Sequence, residues 1–85
     1  MFVIQCVGNE AGEARLGMAV SIRAAGNAVC RNRLRRLIRE SFRMHRQELP
    51  AVDVFVTARS AARAAPNRDV FESLARLWGT VGAAR

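Results

Sequence analysis

"RNRLRRLIRESFRMHR", Arg31 to Arg46, holds seven arginines and a single acid, Glu40, in sixteen residues. At about 100° per residue, Cys30, Leu34, Leu37, Ile38 and Ser41 gather on one side of a helix. Met44 and His45 flank that stripe and Phe42 lies at its edge. Asn32, Arg35, Arg36, Arg39, Arg43 and Arg46 fall on the opposite side, within an arc of roughly 100°. Arg31 and Arg33 mark the two margins. A helix divided this sharply has to lay its apolar stripe on another layer. The flanking sequence therefore decides the fold by what it offers as that layer.

Upstream, Asn27 is placed to cap the helix by accepting a free backbone N–H. Downstream, the helix is predicted to run to about Glu48, with Pro50 as the stop. "FVIQCV" (Phe2–Val7) and "RLGMAVSI" (Arg15–Ile22) are β-rich, separated by the polar, turn-forming "GNEAGEA" (Gly8–Ala14). Two such runs around a glycine-containing loop predict an antiparallel hairpin. "VDVFVTA" (Val52–Ala58) is a nearly continuous apolar run, which predicts a central strand buried on both sides. "RSAARAAPN" (Arg59–Asn67) is a connection with room for a helical turn. A second helix follows, with Val70, Phe71, Leu74, Leu77 and Trp78 at i, i+3, i+4 spacing and Asp69 and Glu72 in its first turns, where the macrodipole favours acids. Gly79 and Gly82 are predicted to end or fray it. The order is ββαβα, an α+β two-layer sandwich of one small sheet and two helices, forming a single domain over residues 1–85.

The charge identifies the class of partner. Fourteen arginines face seven acids, for a net charge of +7, and no lysine is present. Arg31/Arg35, Arg35/Arg39 and Arg39/Arg43 are like-charge i,i+4 pairs, each costing a few tenths of a kcal/mol. Arg36–Glu40 is the one clear favourable pair at that spacing. Selection for stability alone would have alternated Glu with Arg, whereas bound phosphates neutralise the repulsion and release condensed counterions. Guanidinium forks also suit phosphate better than ammonium groups do. These features favour a nucleic acid over a solvated charged face. A membrane-surface helix would want exposed apolar residues opposite the arginines, and here those residues are needed to cover the sheet. Cys6 and Cys30 make no disulfide framework and read as reduced core residues of a cytoplasmic protein. No apolar run approaches the length of a membrane span, and Met1–Val7 is too short for a signal peptide.

With these elements in place, "AVCRNRLRRLIRESFR" (Ala28–Arg43) resembles the signature of the bacterial ribonuclease P protein component. The matching positions are Arg31-Asn32-Arg33, Arg35-Arg36 and Arg39-Glu40, followed by Ser41-Phe42-Arg43. "RLGMAVSIR" is similar to that family's strand before the helix, "ELPAVDVFVTAR" to its next strand, and "LARLW" to its last helix. The resemblance implies a left-handed β-α-β crossover. It also implies a non-catalytic protein subunit, with a large RNA carrying Mg²⁺ and hydrolysing the bond that joins the 5′ leader to precursor tRNA. The implied partners are that RNA and precursor tRNA, with no obligate protein partner and no cofactor on the protein itself. Carried onto this sequence, the implied RNA contacts are Arg31, Asn32, Arg33, Arg35, Arg36, Arg39 and Arg43, and the helical wheel adds Arg46. A cleft between the sheet and this helix is expected to hold the single-stranded leader, with Phe2 and Arg23 as candidate contacts. The family's basic segment and helix ahead of the first strand would help form that cleft, whereas this sequence starts at Met1 directly before the strand. Ile22 and Arg23 stand where the family often has two lysines, and Gln5 where it often has an aromatic residue. The alternative from the residues alone is another structured-RNA binder, such as a ribosomal protein.

No catalytic or metal-binding constellation is evident. His45 has no partner at a spacing that would make it a base, and its spacing from Cys6 and Cys30 does not suit zinc. Asp53, Glu40 and Glu48 form no recognisable carboxylate pair. Gly8, Gly12 and Gly17 make no phosphate loop.

Overall fold

The computed structural model describes residues 1–83. The chain forms β1 (Phe2–Gly8), β2 (Arg15–Ala19), a short α1 (Ile22–Ala25), α2 (Ala28–His45), β3 (Val52–Ala58) and α3 (Asn67–Ala83), with single 3₁₀ turns at Arg46–Glu48 and Ser60–Ala62. The predicted ββαβα order is thus present, with α1 added.

The hairpin is not. β1 and β2 do not pair with each other; both flank β3 in a sheet of order β1-β3-β2. β1 runs antiparallel to β3, from Phe2 opposite Ala58 to Gly8 opposite Val52. β2 runs parallel to β3, from Arg15 opposite Asp53 to Ala19 opposite Thr57. The Gly8–Ala14 loop is long enough to leave a strand-wide gap, so it does not impose pairing on its neighbours. Polar groups hold it open: Asn9 donates from Nδ2 to Asp53 Oδ1 at 2.9 Å and to the Glu13 carbonyl at 3.2 Å, and its N–H reaches the Ala51 carbonyl. The parallel pair β2/β3 is joined through α1 and α2 in a β-α-β crossover.

β2 is shorter than predicted because Ser21 ends the strand and starts a helix. Its Oγ accepts from the Ala24 N–H at 3.0 Å, and Gly26, at φ +93°, stops α1 after one turn. Asn27 caps α2 as expected, with Oδ1 accepting from the Cys30 N–H at 2.8 Å. α2 gives way to the 3₁₀ turn at Arg46, ahead of Pro50.

One core joins all the layers. Val54, Val56, Ala58 and Phe2 from the sheet meet Leu34, Leu37, Ile38 and Phe42 of α2 and Val70, Leu74, Trp78 and Val81 of α3. The polar member explains Ser41 on the apolar stripe. Trp78 donates from Nε1 to Ser41 Oγ at 2.8 Å, and its ring meets Phe42 edge-on at 5.7 Å. A buried indole N–H needs such a partner. α3 continues through Gly79 and Gly82 rather than ending there. Val81 is anchored in the core, and a Cβ at Gly82 would make only an ordinary 3.6 Å contact with the Glu48 carbonyl. Both helices cover the same side of the sheet, so β3 is not buried on both faces. Val54, Val56 and Ala58 are buried while Phe55 is 43% exposed. Cys6, near the end of β1, is likewise exposed rather than core, and Cys30 is half-buried; both are free thiols. Among the described residues, no helix is long and apolar enough to cross a membrane.

Candidate nucleic-acid interface

α2 presents its arginines as the wheel predicts, but not all of them are free. Asn32, Arg36, Arg39 and Arg43 are exposed and Arg35 is half-buried. Among the described residues none of these five side chains forms a hydrogen bond or ion pair, and Glu40 does not close on Arg36. This row is an uncompensated strip of guanidinium along one side of an eighteen-residue helix.

The flanking arginines are engaged by the chain. Arg31 donates from Nε to the Val20 carbonyl at 2.6 Å. Arg33 donates from Nε to Asn67 Oδ1 at 2.9 Å and from Nη2 to the Ala65 carbonyl. Arg46 pairs with Glu13 at 2.7 Å, tying the end of α2 to the loop after β1. Each retains N–H groups, since a guanidinium carries five, but none is an open point charge. His45 is half-buried and donates from Nδ1 to the Ser41 carbonyl at 2.8 Å.

Between the sheet and α2, where a cleft was expected, the described residues form core instead. Leu34, Leu37 and Ile38 fill that space against Val54 and Val56. The open surface is the other side of the sheet, where the alternation of each strand brings Val3, Gln5, Val7, Phe55 and Gly17 to one face. Phe2 points the opposite way and is only 8% exposed, so its ring packs in the core and is not offered to a base. Arg23 is exposed on α1.

The exposed aromatic on the sheet is Phe55, directly opposite Gln5. A Cβ at Gly17 would lie 2.9 Å from Phe55 Cδ2, so the ring rests on the bare β2 backbone with its other face to solvent. Beside it, Arg15 makes a forked contact with Asp53, 2.8 Å from Nε to Oδ1 and 3.1 Å from Nη2 to Oδ2. That contact, with a second hydrogen bond from Asn9, holds the Asp53 carboxyl below its ordinary range. Phe55 was missed because its run reads as uniformly apolar. Alternation shows only once the helices are known to cover one side.

The Ribonuclease P family model matches residues 1–82. The chain belongs to the ribonuclease P protein family. It is 47% identical over 70 residues to the ribonuclease P protein component of Thioalkalivibrio sulfidiphilus, an overlap of 82% of this chain and 58% of that protein. The chain thus spans little more than half the length of the curated relatives it matches. The Staphylococcus aureus RNase P protein superposes with a TM-score of 0.86 at 36% identity, covering 93% of this chain and 72% of the other. The Thermotoga maritima RNase P protein gives 0.83 at 29% identity, covering 94% and 76%. The ribonuclease P fold is therefore shared from β1 to α3, with the arginine helix central to it.

Proposed function

We propose that this chain is the RNA-docking part of a ribonuclease P protein subunit. In this reading the row Asn32, Arg35, Arg36, Arg39 and Arg43 binds phosphates of the catalytic RNA, flanked by Arg31, Arg33 and Arg46. The observation that carries it is the free guanidinium strip. Four arginines kept without internal partners repel one another, and the phosphates of a polyanion relieve that repulsion. Asn32 can bond a phosphate or a base edge. Folded RNA is met through phosphates and shape, since side chains do not enter the deep A-form groove.

In this reading the RNA subunit, with bound Mg²⁺, would supply the chemistry that hydrolyses the bond between leader and mature tRNA. The protein contributes binding and orientation. The open sheet face suits an extended single strand, with Phe55 as a flat surface for one base; Arg23, exposed on α1, is a separate candidate for a leader phosphate.

Reconstitution tests the proposal. The 85-residue chain is combined with a bacterial ribonuclease P RNA and a 5′-extended precursor tRNA at low Mg²⁺, and cleavage is followed with and without protein. Stimulated cleavage at the mature 5′ end is the expected result. Salt-sensitive binding to the RNA without stimulation would retain docking and remove the leader role. Absence of binding would overturn both.

A further inference from the structure

The free row stands where it does because α2 is held at its first two turns by a set of arginines facing the chain itself. Arg31 reaches the Val20 carbonyl, where β2 hands over to α1. Arg33 reaches the Ala65 carbonyl and Asn67, at the entry to α3. A third arginine comes from outside the helix. Arg63, just after the Ser60–Ala62 turn, donates from Nη2 to the Arg23 carbonyl at 3.0 Å and from Nε to the Ala24 carbonyl at 3.3 Å. Its guanidinium lies over Gly26, where a Cβ would sit 3.0 Å from Nε and 3.1 Å from Cδ. The Arg63 carbonyl in turn accepts a weak bond from Cys30 Sγ at 3.8 Å, on the first turn of α2.

The chemistry of these acceptors is uniform. A one-turn helix and two irregular junctions leave carbonyl groups that no regular ladder satisfies. A guanidinium fork can serve two at once with fixed angles, which an ammonium cannot. The same contacts fix the Gly26–Asn27 turn from which α2 starts.

We propose that Arg63, with Arg31 and Arg33, is a positioning residue of the RNA interface. These three brace the arginine helix by its backbone neighbours, and the phosphate contacts are made by Arg35, Arg36, Arg39 and Arg43. This rests on the docking reading above and departs from the resemblance, which counts Arg31 and Arg33 among the RNA contacts.

The test separates affinity from charge. Binding of ribonuclease P RNA is titrated across salt at 10 °C for wild type, R63A, R63K, R33A and R35A, with circular dichroism confirming that each is folded. R35A should lower the slope of log K against log salt by about 0.7–0.9, the value of one phosphate contact. R63A and R33A should each weaken binding about tenfold at fixed salt with the slope unchanged. R63K keeps the stem over Gly26 and the charge, so it covers the case in which R63A fails to fold; it should bind as weakly as R63A. A drop in slope on R63A or R33A would make them phosphate contacts and overturn the proposal. So would full affinity in R63K or in a folded R63A. If R35A leaves the slope untouched, the docking reading itself fails. A lowered slope for R35A with normal R63A and R33A affinity would sink the brace alone.

Discussion

Replacing Arg35 and Arg39 together by alanine isolates the function of α2 from its folding. The two side chains are one turn apart on the outer face, and neither has a side-chain partner among the described residues. If each neutralises one phosphate, the slope of log K against log salt falls by about 1.4 when each contact counts as on a single strand and about 1.8 when it counts as on a duplex. A fourfold rise in salt should then weaken wild-type binding about seven- to twelve-fold more than it weakens the variant's. Stability should move the other way, if at all. The pair is a like-charge i,i+4 contact costing a few tenths of a kcal/mol, and alanine is the better helix former. Filter binding or fluorescence anisotropy at four salt concentrations, with a thermal melt of each protein, measures both quantities. A variant that unfolds while keeping the wild-type slope would refute the reasoning. It would show the outer face to be structural and the phosphate contacts to lie elsewhere.

Three further outcomes are expected. Ser41→Ala leaves the Trp78 indole N–H buried without its partner and should cost about 1–3 kcal/mol, lowering Tm by several degrees; an unchanged melt would mean that water replaces the hydroxyl. Asp53 has its pKa held down, first by the hydrogen bond from Arg15 and then by that from Asn9. Its contribution to stability is therefore present above the ordinary carboxylate pKa near 4 and is lost as pH falls through the lower folded value. The gap in urea midpoint between wild type and Asp53→Asn should be constant above pH 5 and close as pH falls below 4; a gap that widens in acid would contradict the sign. Phe55→Ala should weaken binding of a precursor tRNA with a leader by about 1–3 kcal/mol, with no change for leaderless tRNA or for the RNA subunit. Equal losses on both tRNAs would remove the base-stacking role.

The parts that could be read from the sequence are those with local causes. The helical stripe of Leu34, Leu37, Ile38 and Ser41 appears in a 3.6-residue period whatever surrounds it, and Asn27 caps α2 through its own next turn. α1 also had a local signature, Ser21 before the helix and Gly26 after it, although a β-rich run masked it. The arginine row was legible because its residues share a face.

The tertiary structure decided what depends on distant partners. Sequence adjacency favoured pairing β1 with β2, but the best apolar surface for both is β3, more than thirty residues away from β2 along the chain, and each edge strand gains a neighbour there. Which face of β3 stays open depends on both helices choosing the same side, and that choice alone turns Phe55 outward and Phe2 inward. The division among the arginines is of the same kind. The sequence set Arg31 and Arg33 apart from Arg35 and Arg39 only as the margins of the polar face; what engages them are carbonyls at Val20 and Ala65, left without donors by irregular backbone, which come within reach only when the chain has closed around α2.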